Sequence, residues 1–223
     1  GAIRKREDGS GSGRSSLIGE VREGLAVVFG SARSRSIAAC TGTSNFFSTA
    51  LFTLYILFAT RELRLTPAVI GLIFSIGNIA GLAGALVAGR LASRIGVGRT
   101  IIASSFISGV GLLPIALATR EFALPLLVLS GLLTSFGVPV YNISQVSLRQ
   151  AITALRLQGR MNATMRFLVW GTMPLGGLAG GALGEALGLR GAIAVTALGG
   201  LLAFLWVLFS PVRSLRQIPE PVA

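Results

Sequence analysis

The stretch GRLASRIGVGR, residues 89–99, is a short basic loop between two long segments of the chain that carry no charge. Residues 65–89 lead into it and residues 100–119 follow it, and neither segment holds an Asp, Glu, Lys or Arg. A helix needs roughly 17–25 mostly apolar residues to cross the hydrocarbon core of a bilayer. The pattern therefore predicts two membrane-spanning helices joined by an arginine-containing turn.

The same pattern recurs along the rest of the chain. Four further segments without charged residues cover 37–59, 122–147, 167–184 and 191–212. Hydrophobic residues make up 52% of the 223-residue sequence and charged residues only 13%, against about 25% charged residues in a typical soluble domain. A soluble core helix would be shorter and would have one polar face. We therefore predict an all-α, polytopic membrane protein with six transmembrane helices, numbered here as spans one to six.

The predicted organisation has three parts. Residues 1–35 form a polar cytoplasmic segment, in which residues 17–29 carry apolar side chains at near-helical spacing. That spacing suits either an amphipathic helix at the membrane surface or an ordinary solvated linker. Residues 36–212 form the six-helix transmembrane bundle, and residues 213–223 form a cytoplasmic tail. Because the chain starts at Gly1 without a Met, we expect it to be a piece of a longer protein.

The distribution of basic residues indicates the membrane topology. A net charge of +12 would suggest nucleic-acid binding in a soluble protein. If the spans alternate, however, sixteen Lys and Arg residues fall on one side of the membrane and four on the other. The four are Arg61, Arg64, Arg120 and Arg190. Since cytoplasmic loops carry the basic excess, both termini are predicted to be cytoplasmic, with membrane lipid as a partner and no nucleic acid.

The sequence contains no set of residues that would support catalysis or metal binding. Cys40 is the only cysteine and histidine is absent, so we expect no disulfide within the chain and no metal site. No phosphate-binding loop motif is present. We therefore expect a protein that is not an enzyme and has no cofactor. None of the eight acidic residues lies near the centre of a span, so a proton-carrying carboxylate is expected outside this chain.

Spans two and five carry small residues at a four-residue period. They are Gly77, Gly81, Ala85 and Gly89 in span two, and Gly176, Gly180, Gly184 and Gly188 in span five. Small residues let helix backbones approach closely in lipid, where dispersion packing drives association. The two stripes are therefore predicted to be packing surfaces, either for helices of this chain or for helices outside it.

The loop at residues 89–99 resembles the signature loop of the major facilitator superfamily, G-x-L-x-D-R-x-G-r-r, which joins the second and third helices of each half of that fold. The matching residues are Gly89, Arg90, Arg94, Gly96 and Arg99. Glycine permits close helix contact and a tight turn, and the arginines can clasp helix C-termini or acidic groups. Ser93 stands in the acidic position, and a degenerate copy of this kind is typical of the second half.

Two further similarities point to one branch of that superfamily, the enterobactin-exporter-like and macrolide-efflux-like members. Residues 147–151 and 158–166 resemble the loop between helices ten and eleven there, and residues 19–25 resemble the segment before helix seven. The resemblance implies that spans one to six are helices seven to twelve, the C-terminal half of a twelve-helix fold. In that fold, helices seven and ten line a cavity, eight and eleven touch the other half, and nine and twelve face lipid.

Polar and aromatic side chains on the cavity helices are the predicted substrate contacts. They are Asn45, Phe46, Thr49 and Tyr55 in span one, Tyr141, Asn142 and Gln145 in span four, and Trp170 in span five. Polar side chains within a membrane prefer a cavity or a protein interior to lipid. The alternative is that the amides only bond neighbouring helices and the aromatic rings only pack.

The function implied by the resemblance is secondary active transport by alternating access, with efflux of a drug-like or siderophore-like molecule across a bacterial plasma membrane. The partners expected are an absent N-terminal six-helix half, a small-molecule substrate and protons. Two alternatives stay open. One is a major facilitator carrier for another metabolite or a sugar, and the other is a six-helix membrane scaffold that does not transport.

Overall fold

Residues 17–217 are the part of the chain that the computed structural model describes. The predicted polar segment at residues 1–16 and residues 218–223 of the predicted tail lie outside it. Within the described part all regular structure is helical. The elements are α1 (Leu17–Gly30), α2 (Ala32–Leu57, continued by a π-helical turn at Phe58–Glu62), α3 (Pro67–Ile95), α4 (Val97–Val110), α5 (Leu113–Leu117), α6 (Ala123–Ala151), α7 (Leu155–Leu202), α8 (Leu205–Leu208) and a 3₁₀ turn at Pro211–Ser214.

Local sequence explains where the first two long helices begin. Ser31 precedes α2, and its hydroxyl oxygen accepts a hydrogen bond from the backbone N–H of Ser34 at 3.5 Å. Thr66 caps α3 in the same way, through the N–H of Val69, and Pro67 occupies the first turn. Each cap satisfies a backbone donor that the start of a helix leaves unpaired, and proline has no such donor to lose.

Helix α7 holds two membrane passes rather than one. Together with α8 it covers the 54 residues Leu155–Leu208, which at about 1.5 Å per residue is more than twice the thickness of a hydrocarbon core. The backbone breaks at Gly188, where φ is 71° and ψ is 169°. That conformation is essentially restricted to glycine. We call residues 155–187 the first arm of α7 and residues 189–202 the second arm.

The first arm runs parallel to α2. The Thr172 hydroxyl, which donates to the Val169 carbonyl of its own helix at 2.7 Å, lies 3.2 Å from the carbonyl oxygen of Gly42. Further along both helices, Gly184 lies against the side chain of Leu54. Residue numbers therefore rise together in the two helices.

The second arm runs in the opposite direction. Gly199 lies against the ring of Phe47, and Trp206, in the continuation α8, donates through Nε1 to the hydroxyl of Thr43 at 3.1 Å. Residue numbers rise in one helix as they fall in the other, so the chain reverses at Gly188. The prediction of six transmembrane helices is thereby confirmed. Spans one to four are α2, α3, α4 with α5, and α6, and spans five and six are the two arms of α7.

Glycines join the helices in two pairs. In the first arm of α7, Gly176 and Gly180 lie directly against the backbone carbonyls of Phe46 and Ala50 in α2. A Cβ at Gly184 would lie 3.0 Å from the Leu54 side chain. The first arm of α7 and α2 are therefore packed too closely to accept larger residues at Gly176 and Gly180, where the contact is with backbone.

The second pair consists of α3 and α6. A Cβ at Gly77 would lie 3.1 Å from the Ser135 hydroxyl, and one at Gly81 would lie 3.3 Å from the Ser135 carbonyl oxygen. Gly84 lies directly against the carbonyl of Phe136. Both glycine surfaces are thus occupied by helices of the same bundle, which decides between the two alternatives that the sequence left open.

Two details of the predicted stripes are wrong. In the second half of α3 the buried residues are Gly84 and Ala88, whereas Ala85 and Gly89 are exposed. The reason is that a helix repeats every 3.6 residues rather than every four. In α7, Gly188 is the break in the helix and not a packing position. The family resemblance implies that spans two and five contact another six-helix half. If they do, the contact is not made through the glycine faces described above.

The outer surface of the bundle carries many exposed apolar side chains. Ile79 is 71% exposed, Leu86 68% and Leu178 73%. Side chains of this size in such number suit lipid rather than water. With backbone hydrogen bonds satisfied inside each helix, this surface fits a multi-pass membrane protein.

The two ends of the bundle differ in charge. We call the end where α2 begins and α6 ends the basic end. It carries the described arginines at positions 22, 33, 35, 90, 94, 99, 149, 156, 160, 166, 213 and 216. At the opposite end Glu62 forms an ion pair with Arg190 at 3.5 Å, and its carbonyl accepts a hydrogen bond from Arg120 Nε at 2.8 Å. The asymmetry counted along the sequence is thus an asymmetry between the ends of the structure.

Helix α1 lies against the start of α7 at the basic end. Gly24 contacts the side chain of Thr164, and Glu23 forms ion pairs with Arg160 and, at 3.6 Å, with Arg156. Val28 is fully buried. Of the two sequence alternatives for this segment, the helix is the one that the structure contains.

Candidate substrate cavity

A cavity of about 520 Å³ lies between α2, α6 and the first arm of α7, in the half of the bundle nearer the basic end. This volume is within the range of small-molecule sites, roughly 300–1,000 Å³. The cavity is lined by Thr41 and Asn45 from α2, by Asn142, Gln145, Val146, Arg149 and Gln150 from α6, and by Asn162, Met165, Arg166, Val169, Trp170 and Met173 from α7. Such a polar lining is unusual among membrane-spanning helices and marks this region as a candidate site.

The α6 wall includes three polar residues on one helical face. Asn142, Gln145 and Arg149 are spaced at i, i+3 and i+7, which stacks them along the helix. Gln145 is only 5% exposed and Arg149 only 6%. Arg149 Nη1 donates to the Met161 sulfur at 3.7 Å, while Arg149 Nε and Gln145 Oε1 have no hydrogen-bond partner among the described residues. The buried guanidinium therefore keeps unused donor capacity.

The α7 wall combines polar and apolar groups. Asn162, Arg166 and Trp170 follow one another at intervals of four residues, so they lie on one face of the first arm. The Arg166 guanidinium carbon is 4.6 Å from the centroid of the Trp170 ring, a cation–π contact that orients both side chains. Met165 and Met173 add adaptable apolar surface.

The α2 wall is ordered by a hydrogen-bond chain. The Thr41 hydroxyl donates to the Ile37 carbonyl at 2.8 Å and lies 2.7 Å from the Tyr141 hydroxyl. Because the single hydroxyl proton of Thr41 is used within its own helix, Tyr141 is the donor to Thr41. This bond fixes α2 against α6 beside Asn45, which lines the cavity and a small adjoining cleft of about 50 Å³.

The structure brings together half of the predicted substrate contacts. Asn45, Asn142, Gln145 and Trp170 all line the cavity. Tyr141 lines the adjoining cleft.

The remaining predicted contacts lie elsewhere. The ring of Phe46 packs edge-on against Phe47 at a centroid distance of 5.1 Å. Tyr55 is buried near the opposite end, 5.7 Å from the ring of Phe74. The carbonyl of Thr49 accepts a hydrogen bond from Thr53, and neither the cavity nor the cleft contains Thr49. The sequence prediction places these three residues in the cavity because their helix lines it. The identity of the helix determines neither the depth of a side chain in the membrane nor the side of the helix on which it lies.

The arginines of the cavity were missed by sequence reasoning. From the sequence, Arg149 falls in the loop after span four and Arg166 just inside span five, and both enter only the count of basic residues. Helical spacing identifies both arginines, since Arg149 lies four residues after Gln145 and Arg166 lies four residues before Trp170. The same four-residue spacing places Asn162 on the helical face that carries Arg166.

The loop at residues 89–99, which resembles the family signature, also has a structural role. Gly96 adopts a φ of 92° between α3 and α4, which favours glycine. Gly98 donates to the Leu215 carbonyl at 3.0 Å and Val97 donates to the Arg216 carbonyl at 3.3 Å, so the C-terminal segment packs on the loop. A Cβ added at Gly89 would have nothing within 4 Å, and Arg90, Arg94 and Arg99 are exposed at the basic end.

Comparison with known families agrees with this architecture. The family model described as Major Facilitator Superfamily matches residues 37–222, which is most of the chain. No curated protein matches the sequence. Members of this family are transporters of small molecules rather than enzymes. On the evidence of this match and of its six apolar membrane-spanning helices, the chain belongs to the major facilitator superfamily.

Proposed function

We propose that the chain is the C-terminal six-helix half of a secondary transporter that exports a drug-like or siderophore-like molecule by alternating access. The observation that carries the proposal is the polar cavity within helices whose outer faces are apolar. Polar side chains at membrane depth are unfavourable unless they meet water, a solute or protein. A cavity between such helices is what a solute pathway requires.

The helices that form the cavity support the assignment to this half. They are spans one, four and five, which the family resemblance counts as helices seven, ten and eleven. In that numbering, seven and ten line the central cavity and eleven touches the other half. Arg166 and Trp170 on span five are exposed in the isolated bundle, and a second six-helix half would cover them better than lipid would.

The basic end supports the orientation of the bundle in the membrane. Cytoplasmic loops carry the excess of arginine and lysine, so we place the basic end and both termini in the cytoplasm of a bacterial cell. The cavity then lies in the cytoplasmic half of the bundle, and export stays a proposal carried by the family resemblance. The acidic side chains that the structure describes, at positions 23, 62, 121 and 185, lie at the ends of the bundle. A proton-carrying group would therefore come from the other half.

The composition of the cavity wall supports an amphipathic substrate. Met165, Val169, Trp170 and Met173 form an apolar side, and Asn45, Asn142 and Asn162 supply amides. An apolar side facing polar groups suits a ligand that has both an apolar and a polar part.

Uptake into inverted membrane vesicles tests this proposal, because an exporter then moves its substrate inward. With the complete transporter and a proton gradient, we expect uptake of hydrophobic dyes or catecholate siderophores, and loss of uptake with a proton ionophore. Asn142→Trp should abolish uptake by filling the cavity. Leu198→Trp, on the second arm at a position 53% exposed to the surroundings, is the matched control and should leave uptake intact. Uptake of sugars alone, or equal effects of the two variants, would contradict the proposal.

A further inference from the structure

We infer that the cavity binds an anionic oxygen group, a carboxylate or a phosphate, carried by an otherwise apolar solute. The inference deepens the proposed function and rests on it, because it names the chemistry of the solute that the same cavity takes. It depends on one buried arginine, on the absence of a counter-charge among the described residues, and on the groups that surround that arginine.

Arg149 is the central residue. Its side chain is only 6% exposed, although it lines the cavity from the last turns of α6. Among the described residues, its hydrogen-bond acceptor is the thioether of Met161, and its Nε has none. A thioether is a weak acceptor, whereas a guanidinium has five N–H donors in a planar fork. That fork fits a carboxylate or a phosphate through two parallel hydrogen bonds.

No acidic side chain that the structure describes forms an ion pair with Arg149. Glu23 forms ion pairs with Arg156 and Arg160, and Glu62 forms one with Arg190. Glu121 and Glu185 are exposed at the opposite end of the bundle. A buried charge without a counter-charge is unfavourable, so an anion bound from outside would offset a desolvation cost that the bundle otherwise bears.

The surroundings of Arg149 fit an anion and not merely a solvated cation. Arg166 lines the same cavity and is held over the Trp170 ring, which adds a second positive charge. Gln145, one turn before Arg149, is 5% exposed, and its amide oxygen has no partner among the described residues. That oxygen is an acceptor, so it can take a hydrogen bond from an O–H or N–H group of the solute beside the guanidinium, while the anion itself is bound by the arginines.

The apolar wall defines the rest of the solute. Met165, Val169 and Met173 continue along α7 away from the basic end. An anionic group at Arg149 would place an attached ring or chain against these side chains. The class of solute is therefore an amphipathic organic anion, small enough for about 520 Å³.

A matched pair of probes tests the inference. 2-Naphthylacetate and 2-naphthylacetamide share an apolar ring, but only the first is anionic at neutral pH. We would reconstitute the purified full chain in phosphatidylcholine nanodiscs with Trp206→Phe, so that Trp170 is the remaining tryptophan of this sequence and reports occupancy by its fluorescence. We expect the acetate to bind roughly tenfold more tightly or better, because charge-assisted hydrogen bonds are about twice as strong as neutral ones.

Substitution then assigns the preference to the cavity. Arg149→Gln should remove the difference between the probes, and Arg149→Lys should retain part of it, since it keeps the charge but loses the fork. Arg213→Gln is the matched control, because Arg213 is exposed at the same end outside the cavity. It should leave the preference unchanged. Monodisperse elution and an unchanged helical circular dichroism spectrum exclude misfolding of each variant.

Three results would overturn the inference: equal affinity for the two probes or no binding of either, a preference that survives in Arg149→Gln, or an equal loss in Arg213→Gln. An anionic lipid headgroup offers the same chemistry, so the titration is repeated in discs containing phosphatidylglycerol. Unchanged acetate affinity is expected for a solute site, and a several-fold loss would assign the cavity to lipid instead. Because binding is measured without an ion gradient, a failure of this inference is distinguishable from a failure of transport itself.

Discussion

Gly180 illustrates how single residues decide the packing of this bundle. Its Cα lies directly against the carbonyl of Ala50, whereas a Cβ added at the neighbouring Gly181, which is exposed, would have nothing within 4 Å. We expect Gly180→Leu to lower the free energy of unfolding by about 1–3 kcal/mol or to prevent assembly, because overpacking forces the helices apart. Gly181→Leu should be nearly neutral.

Thermal melting of the two variants, followed by fluorescence-detected size-exclusion chromatography, measures the difference. The glycine face would not be a packing surface if Gly180→Leu melted at the same temperature as Gly181→Leu. The comparison controls for added apolar surface, since both variants gain the same side chain on the same helix.

Among single residues, Arg149 shows most clearly where sequence reasoning stops. The amides at positions 142 and 145 were found because they interrupt an apolar segment, but Arg149 was assigned to a loop because it ends one. A charged residue does not always mark the end of a span, because it can continue the helix and line a cavity inside the protein. Here α6 continues to Ala151 and α7 already begins at Leu155, so both helices project beyond their charge-free segments and carry arginines into the cavity.

Among the elements, the reversal at Gly188 is the feature that makes five long helical segments into six passes. We expect Gly188→Ala to destabilise the protein by about 1–3 kcal/mol, because its φ of 71° with ψ of 169° suits glycine alone. Gly171→Ala, within the first arm and with nothing nearby, should instead be neutral or stabilising by up to about 1 kcal/mol. Chemical unfolding followed by circular dichroism compares them, and an equal response would refute the strained turn.

The docking of α1 on α7 is the second element with a direct test. Gly24 has no room for a side chain beside Thr164, whereas Ala26 is exposed on the same helix. We expect Gly24→Val to raise the hydrogen-exchange rate of α1 by about tenfold or more, and Ala26→Val to leave it unchanged. Mass spectrometry of peptides from residues 17–30 measures both. If α1 exchanged equally in the two variants, its packing on α7 would not depend on this contact.

The order of the elements was largely predictable from sequence, whereas their pairing was not. Length and lack of charge determine where a helix must cross a bilayer, and this identified six spans, including two within one continuous helix. Period-four counting placed Ala85 and Gly89 on a packing face that the 3.6-residue helix actually turns outward. Which helix occupies a glycine face depends on contacts distant in sequence, as between Gly176 and Phe46.

For the whole molecule, topology is the first property to test. In a Cys40→Ser background, we expect Glu62→Cys and Arg190→Cys to be labelled by an impermeant maleimide on intact cells, and Arg156→Cys to be protected. Labelling at 156 alone would reverse the orientation. Labelling at only one of positions 62 and 190 would contradict the reversal at Gly188, because Glu62 and Arg190 form an ion pair at one end of the structure.

The proposed function makes this bundle one wall of a solute pathway that a second bundle completes. Alternating access requires one bundle to move against another. The described part of this chain supplies the polar cavity from α2, α6 and the first arm of α7, and it has no acidic residue at the centre of a span. Gradient-driven transport of dyes and amphipathic anions in proteoliposomes, comparing residues 1–223 alone with the complete transporter, tests this dependence. We predict transport by the complete protein and none by residues 1–223 under the same proton gradient. Transport by residues 1–223 alone, at a rate comparable to that of the complete protein, would show that the bundle is a transporter in itself and would contradict the proposal.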